Sequence, residues 1–193
     1  NRLQAMILPK KFYLRDPAEV ARGLIGKILV RRYGKNVLKG VVVETEAYYG
    51  EDDPASRAAD GKKKFNVSMW KDVGKTFIYM VHGNWLFNVV AHEKGKVGAV
   101  LIRAVEPLEG IEEMKRNRKR ENVNELTNGP GKLCQAFRID KSLNSLPVYR
   151  KGEIYLEDSN LKFNIGSSKR IGVKMDLPKN LRFFARGNPF VSR

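Results

Sequence analysis

The sequence predicts one α+β domain that covers residues 1–193, built on a curved, mostly antiparallel β-sheet flanked by helices. Three observations support this fold class. Short runs of β-branched and aromatic residues recur along the chain, and turn residues separate them, as in antiparallel hairpins. Helix signals are few and lie between these runs. Neither a repeat nor a shift in composition marks a second domain, and 193 residues suffice for one sizeable core.

Helix and strand signals follow one another along the chain. Asp16 is a suitable N-cap, with Pro at the first helical position, for a helix that ends near Gly26. Two later segments also have helical character, residues 109–119 and 127–137. The segments with strand composition are residues 27–33, 37–48, 75–81, 85–91, 98–105, 153–157, 161–165, 170–173 and 181–186. Turns at residues 34–36 and 82–84 join the first four strands into two hairpins.

The strand at residues 41–48 carries the most informative pattern. Because strand side chains alternate between faces, Glu44, Glu46 and Tyr48 share one face, and Val41, Val43 and Thr45 share the other. Carboxylates beside a valine run are costly to bury unless they have partners or a function. The same alternation also fits a solvated face with two ordinary glutamates, so periodicity alone leaves both interpretations open.

Composition indicates a polyanionic partner. Lys and Arg number 37 against 21 acidic residues, which gives a formal net charge of +16. Nucleic acid and an anionic membrane surface both fit this charge, but no apolar run approaches the length of a transmembrane helix. The single cysteine, Cys134, excludes an internal disulfide and fits a reducing compartment, and one Cys with two His disfavours a Cys/His zinc site. With no signal peptide visible, we expect a cytoplasmic or nucleoid location, or a nuclear one in a eukaryote.

Four motifs together resemble the alkyladenine (3-methyladenine) DNA glycosylase family. They are Val-Glu-Thr-Glu-Ala-Tyr at 43–48, Leu-Ile-Arg-Ala-Val-Glu-Pro-Leu-Glu-Gly at 101–110, Gly-Pro-Gly-Lys-Leu-Cys-Gln-Ala at 129–136 and Arg-Gly-Asn-Pro-Phe-Val-Ser at 186–192. The motifs occur in the order typical of the family, and the similarity extends over nearly the whole chain from about Pro9.

The resemblance implies a base-excision-repair enzyme that flips a damaged purine, alkylated or deaminated, out of double-stranded DNA and hydrolyses its N-glycosidic bond. Glu46 then corresponds to the catalytic base that activates water, and Arg103 to an arginine that orients the site. Tyr48 and Tyr79 correspond to residues that stack on the base. No lysine falls at a matched site position, so we expect a monofunctional enzyme without a Schiff base. We expect a monomer that needs no cofactor or metal and binds no membrane.

Several positions depart from the family pattern. Its pocket histidine falls at Arg57 and its DNA wedge tyrosine at His82 by ungapped count. Its pocket asparagine reaches Asn88 with a one-residue gap, and Asn84 is a poorer fit. Val173 resembles a pocket-lining residue. Arg57 also fits a phosphate contact and His82 an ordinary turn residue, so the choice of lesion stays open.

Clusters of lysine and arginine predict contacts with the DNA backbone, although solvated basic runs fit the same pattern. The candidate residues are Lys62, Lys63, Lys64, Lys115, Arg116 and Lys132.

Two other function classes remain open at this point. A metal-dependent nuclease could use the carboxylates Glu44, Glu46, Asp52 and Asp53, since hard divalent ions favour such clusters. A non-enzymatic, basic nucleic-acid-binding protein fits the charge equally well. That second class does not explain the Glu-x-Glu-x-Tyr face on a valine strand.

Overall fold

One sheet of eight strands dominates the computed structural model, which describes residues 5–192. In chain order the strands are β1 (Ile28–Tyr33), β2 (Asn36–Tyr48), β3 (Thr76–Val81), β4 (Asn84–Val90), β5 (Ala99–Glu109), β6 (Ile154–Glu157), β7 (Ile165–Ser168) and β8 (Arg182–Ala185). Their spatial order is β3–β4–β5–β2–β1–β6, and β8 pairs with both β2 and β7. These pairings are antiparallel, which confirms the predicted fold class.

Three α-helices flank the sheet within the described residues: α1 (Pro17–Leu24), α2 (Ile111–Arg118) and α3 (Pro130–Ala136). Short 3-10 helices occur at Lys10–Tyr13, Val67–Trp70, Val123–Glu125 and Lys141–Leu143. The predicted cap of α1 is confirmed, because Asp16 Oδ1 accepts a hydrogen bond from the N–H of Ala18 at 2.8 Å. None of the helices in residues 5–192 has the length and apolar character to cross a bilayer.

β2 is the central strand of the sheet because it pairs with three other strands. β1 and β5 lie along its two sides, and β8 pairs with residues Glu44 to Glu46. The register with β5 shifts on either side of Glu44, an irregularity that bends a sheet. Glu44, Thr45 and Glu46 are all fully buried. The interpretation of Glu44 and Glu46 as a solvated face is therefore wrong.

The core lies between the sheet and the helices, and a small satellite cluster lies beside it. Large, fully buried side chains such as Tyr13, Phe87 and Phe137 fill the main core. The satellite consists of Ala58, Met69, Phe77, Val90 and Ala99, with Tyr79 packed against it. This satellite forms the wall of the candidate site described below.

Three predicted segments need correction. The predicted helix at 109–119 starts later, because β5 continues to Glu109 and Gly110 makes the junction at a φ of 78°. The predicted strand at 161–165 is replaced by β7, which starts at Ile165. Residues 170–173 form a turn rather than a strand, since Gly172 has a φ of 72° that an extended strand does not contain.

Candidate active site

Glu46 is held by hydrogen bonds on both carboxylate oxygens. Its Oε1 accepts from the Tyr48 hydroxyl at 2.7 Å and lies 3.4 Å from Nη1 of Arg103. Its Oε2 accepts from the backbone N–H of Ile171 at 2.7 Å. Because the side chain is fully buried, these partners replace the solvation that the carboxylate loses. The result is a desolvated anion in a fixed orientation.

Arg103 connects the two glutamates of β2. β5 places it opposite them, with Nε 3.4 Å from Glu44 Oε2 and Nη1 3.4 Å from Glu46 Oε1. Nη2 lies 3.5 Å from the hydroxyl of Ser192, in the C-terminal segment. The sequence motifs of three distant segments therefore meet at one arginine.

Glu44 has its oxygens occupied by partners other than Arg103. Arg182 Nε donates to Oε2 at 2.6 Å, and the Ser192 hydroxyl donates to the same oxygen at 2.9 Å. The Ser192 N–H donates to Oε1 at 3.1 Å. A carboxylate saturated in this way anchors β8 and the C-terminal segment to β2. These contacts commit both oxygens of Glu44 to β8 and the C-terminal segment, whereas Glu46 remains connected to the aromatic cavity through Tyr48.

The Tyr48 ring links Glu46 to a small cavity. Burial raises the pKa of the Tyr48 hydroxyl, and the neighbouring charge of Glu46 raises it further, so the hydroxyl remains a donor. The cavity is lined by Tyr48, Arg57, Met69, Phe77, Tyr79, Asn88 and Ala99. It has a volume of about 10 Å³, enough for roughly one water molecule. Surface grooves of about 500 to 610 Å³ occur elsewhere in the described chain, but Glu46 does not line them.

Two side chains give the cavity a polar character. Asn88 is buried, and its Nδ2 has no hydrogen-bond partner within residues 5–192. Arg57 is exposed at the cavity mouth, with Cζ 5.2 Å from the centre of the Tyr79 ring. Burial raises the pKa of the Tyr79 hydroxyl, while Arg57 acts in the opposite direction. Phe77 packs on the same ring at a centroid distance of 5.0 Å.

His82 occupies the tip of the β3–β4 hairpin. His82 and Gly83 both have positive φ, 49° and 77°, as the two central residues of a type I′ turn require. The side chain of His82 is exposed. The adjacent Asn84 lies against Gly131 of α3, where a Cβ would come within 2.9 Å of the Asn84 side chain. The tip of the hairpin and the start of α3 therefore form one continuous edge.

Residues 11–189 match the family model described as methylpurine-DNA glycosylase (MPG). The chain belongs to this family. The resemblance inferred from the four motifs is thereby confirmed.

Individual relatives of the methylpurine-DNA glycosylase family match over most of their length. A protein of Clostridium botulinum strain Alaska E43 is 41% identical over 97% of this chain and 100% of its own. A protein of Aeropyrum pernix is 40% identical over 97% of this chain and 93% of its own. A protein of Mesorhizobium japonicum is 43% identical over 92% of this chain and 86% of its own. Each is described as a candidate 3-methyladenine DNA glycosylase.

The segment that resembles the pocket lining of the family reaches the site through a different residue from the predicted one. Val173 is half-buried and is not among the residues that line the cavity in the described chain. Ile171 makes the contact instead, through its backbone N–H to Glu46. The positive φ of Gly172 redirects the chain immediately after this contact. Every residue except proline carries a backbone N–H, so the sequence gives no sign of which one contacts Glu46, and the contact of Ile171 was not predicted.

The predicted DNA-contacting residues differ in how far their charges are already paired. Lys62, Lys63 and Lys64 are exposed, and within residues 5–192 they form no salt bridge. Lys115 pairs with Glu112 at 3.1 Å, and Arg116 pairs with Glu113 at 2.8 Å. The remaining basic candidate, at position 132 on α3, donates to Asn128 at 3.2 Å.

The four carboxylates of the nuclease alternative do not form one cluster. Asp53 is fully buried, and both of its oxygens accept from Arg170 at 2.7 Å. Asp52 is exposed in the same loop. Glu44 is held by the arginines described above. Within residues 5–192, no group of three or more His, Cys, Asp or Glu side chains has an arrangement that would hold a metal ion.

Proposed function

We propose that this chain is a monofunctional DNA glycosylase that flips a damaged purine out of double-stranded DNA and hydrolyses its N-glycosidic bond. The observation that carries the proposal is the buried Glu46, fixed on both oxygens and hydrogen-bonded to a wall of an aromatic cavity. A base that is stacked in a duplex cannot reach such a site, so the nucleotide must leave the helix. The protein acts as a single domain and a monomer, without a cofactor.

Glu46 activates the water in this mechanism. The water oxygen attacks C1′ of the deoxyribose, its proton passes to Glu46, and the base leaves with the electron pair of the C–N bond. The sugar has oxocarbenium character at the transition state, and the Glu46 carboxylate stabilises the developing positive charge. Arg103 holds the carboxylate at 3.4 Å and fixes its orientation. A purine that is cationic through alkylation departs as a neutral base, which favours the reaction.

The cavity wall supplies recognition of the base. Tyr48 and Tyr79 offer faces for stacking, and the unpartnered Nδ2 of Asn88 offers a hydrogen bond to the edge of the base. A purine is far larger than the present volume of about 10 Å³, so at least one lining side chain moves when the base enters. Arg57 is the exposed member of the lining and therefore the one that is free to move.

The charge of the chain and the names of its relatives support the choice of substrate. A net charge of +16 favours a long polyanion such as DNA. Relatives that match over nearly the full chain are described as candidate 3-methyladenine DNA glycosylases. An alkylated purine in duplex DNA is therefore the first substrate to test, and a deaminated purine is the second.

The decisive experiment measures base release from duplexes that carry 3-methyladenine, 7-methylguanine, hypoxanthine or 1,N6-ethenoadenine in turn. We expect release of at least one free base, with an abasic strand that breaks only after alkali treatment. Release must disappear in Glu46→Gln. Binding without release by the wild-type chain would favour the non-enzymatic alternative, and strand scission that EDTA abolishes would favour the nuclease.

A further inference from the structure

Arg170 is a buried arginine whose hydrogen-bonding capacity is fully used. It lies between β7 and β8, and its side chain is inaccessible to solvent. Nη1 donates to Asp53 at 2.7 Å and to the carbonyl of Ala47 at 3.0 Å. Nη2 donates to Asp53 at 2.7 Å and to Asp176 at 2.5 Å, and Nε donates to Asp176 at 3.0 Å. These five bonds equal the number of N–H donors of a guanidinium.

The flat face of this guanidinium supports Tyr48. Cζ of Arg170 lies 4.6 Å from the centre of the Tyr48 ring, within the range of a cation–π contact. The Tyr48 hydroxyl in turn donates to Glu46 Oε1 at 2.7 Å. The orientation of Arg170 therefore fixes the ring that holds one oxygen of the catalytic carboxylate.

The backbone that follows Arg170 holds the other oxygen. Ile171, the next residue, donates its N–H to Glu46 Oε2 at 2.7 Å. The bond from Arg170 to the Ala47 carbonyl anchors this backbone directly beside Glu46 on β2. Both oxygens of Glu46 thus depend on one buried side chain, by two separate routes.

Asp53 extends the same network to the loop that carries Arg57. Its oxygens also accept from the N–H groups of Tyr49 at 3.0 Å and Ala55 at 3.1 Å. Burial by itself disfavours ionisation of Asp53, but Arg170 and these N–H groups outweigh it and lower the pKa of the carboxyl. The network therefore joins the end of β2, the loop at the cavity mouth and the segment after β7.

We propose that Arg170 is a positioning residue of the base-excision reaction, which sets the orientation of Glu46 through the Tyr48 hydroxyl and the Ile171 N–H. This inference rests on the proposed function and adds a residue that does not touch the reacting atoms. A general base displaced by about 1 Å loses on the order of 10²-fold in rate. A purely structural ion pair would instead change stability and leave the chemical step unaltered.

The test compares Arg170→Lys with the wild-type chain. Lysine keeps the positive charge between Asp53 and Asp176 but loses the planar fork that makes five directed bonds and packs on Tyr48. We expect the single-turnover rate of base release, with enzyme in excess, to fall roughly 10- to 100-fold. The Kd for the lesion duplex should stay within about threefold, since the contacts of the protein with DNA are unchanged. An unchanged rate, or a loss explained entirely by weaker binding, overturns the proposal.

Arg31→Lys is the matched control. Arg31 is also buried, and it donates to the carbonyls of Phe137 and Arg138 at 3.1 Å, and these three residues neither contact Glu46 nor line the cavity. We expect a lower melting temperature in this variant with a single-turnover rate within about twofold of wild type. An equal loss of rate in Arg31→Lys would show that general destabilisation causes the effect and would overturn the proposal.

Ile171→Pro tests the hydrogen bond from the Ile171 N–H to Glu46 Oε2. If Arg170→Lys does not fold, this variant decides whether the positioning of Glu46 affects the rate. Proline removes the N–H that reaches Glu46, and residue 171 is 42% exposed, so its side chain is not part of the core. We expect a rate loss as large as that of Arg170→Lys, and a smaller one in Ile171→Ala, which keeps the N–H. Equal rates in the two variants contradict the proposal. If wild type excises a base and Glu46→Gln does not, the proposed function stands whatever these variants show.

Discussion

Glu44 and Glu46 share Arg103, whose Nε lies 3.4 Å from Glu44 Oε2 and whose Nη1 lies 3.4 Å from Glu46 Oε1. The two carboxylates differ in their other partners. Glu44 is occupied by Arg182 and Ser192, whereas Glu46 is hydrogen-bonded to Tyr48 at the cavity. The same residue type on one strand therefore has two sets of contacts. We expect a structural role for Glu44 and a chemical one for Glu46, and substitutions should separate them.

Glu46→Gln should abolish base excision and leave DNA binding nearly intact. The amide cannot accept the proton of the attacking water, and removal of a general base typically lowers the rate by about 10²- to 10⁴-fold. The measurement is single-turnover base release, together with Kd for the lesion duplex, which should change by no more than a few fold. Near-normal turnover in this variant would disprove the assignment of Glu46.

Glu44→Gln should act mainly on stability. The substitution leaves Arg182, whose side chain is only 11% exposed, without a neutralising charge, and it leaves Arg103 paired with Glu46 alone. Breaking a buried pair from one side costs roughly 3–5 kcal/mol. At about 2–4 °C per kcal/mol, the Tm should fall by roughly 6–20 °C.

Thermal melts of Glu93→Gln provide the comparison for this prediction. Glu93 pairs with Lys96 on the surface at 2.7 Å, and exposed pairs contribute about 0–1 kcal/mol. A Tm of Glu44→Gln as high as that of Glu93→Gln would mean that the buried arginines find other partners.

The affinity for DNA should fall steeply with salt, and the lysine loop should contribute more to this dependence than α2. If about five phosphates are neutralised, log K falls with a slope near −4.5 against log[salt], or about 0.9 for each contact. Removing the charges of Lys63 and Lys64 together should reduce the slope by about 1.8. The pair Lys115 and Arg116 should contribute less, because glutamates of the same helix already partner them.

Binding titrations over a range of salt concentrations, with one double variant for each pair, measure this difference. A larger change of slope in the α2 variant than in the loop variant would mean that α2, rather than the lysine loop, makes the main contacts with the DNA backbone.

His82 should act as the wedge that fills the space left by the flipped base. It is exposed at the tip of a tight turn, with a φ of 49°. His82→Ala should lower excision more than it lowers non-specific binding. His82→Tyr should slow the re-stacking of a fluorescent base analogue, because tyrosine buries more apolar area between the base pairs. If neither variant alters flipping or excision, another residue fills the gap.

Arg57 should shift lesion choice toward neutral purines. Its guanidinium lies 5.2 Å from the Tyr79 ring centre at the mouth of the cavity, where it repels a cationic 3- or 7-methylpurine. The same group is a good donor to O6 or N7 of hypoxanthine. We therefore expect relatively better excision of deaminated purines than of methylated ones.

The variant Arg57→His should move this ratio toward the methylated bases, by about tenfold for each 1.4 kcal/mol of repulsion that is lost. The measurement is the ratio of kcat/KM for the two lesion classes in both proteins. A wild-type preference for methylated purines that stays unaltered in the variant would mean that Arg57 does not face the bound base, and it would defeat this prediction.

Local sequence patterns determined much of the fold. The cap of α1, the two hairpins and the strand that carries Glu46 follow from turn residues, capping and β-branched runs. Local patterns failed around residues 161–173, where short apolar runs suggested strands and the structure has β7 and a glycine turn. Such short segments are decided by the partners that they meet rather than by their own composition.

The sequence by itself also determined the family, because four motifs lie in order along the chain, and it brought Glu46, Tyr48 and Arg103 into one hypothesis. Only the tertiary structure decided how these residues are held. The Ile171 N–H reaches Glu46 across 125 positions, and Arg170 reaches Asp53 across 117. A backbone N–H is present at almost every residue, so only its place in the fold distinguishes one from another. The same reason distinguishes Glu44 from Glu46: both are glutamates on one strand, and only the fold gives them different hydrogen-bond partners.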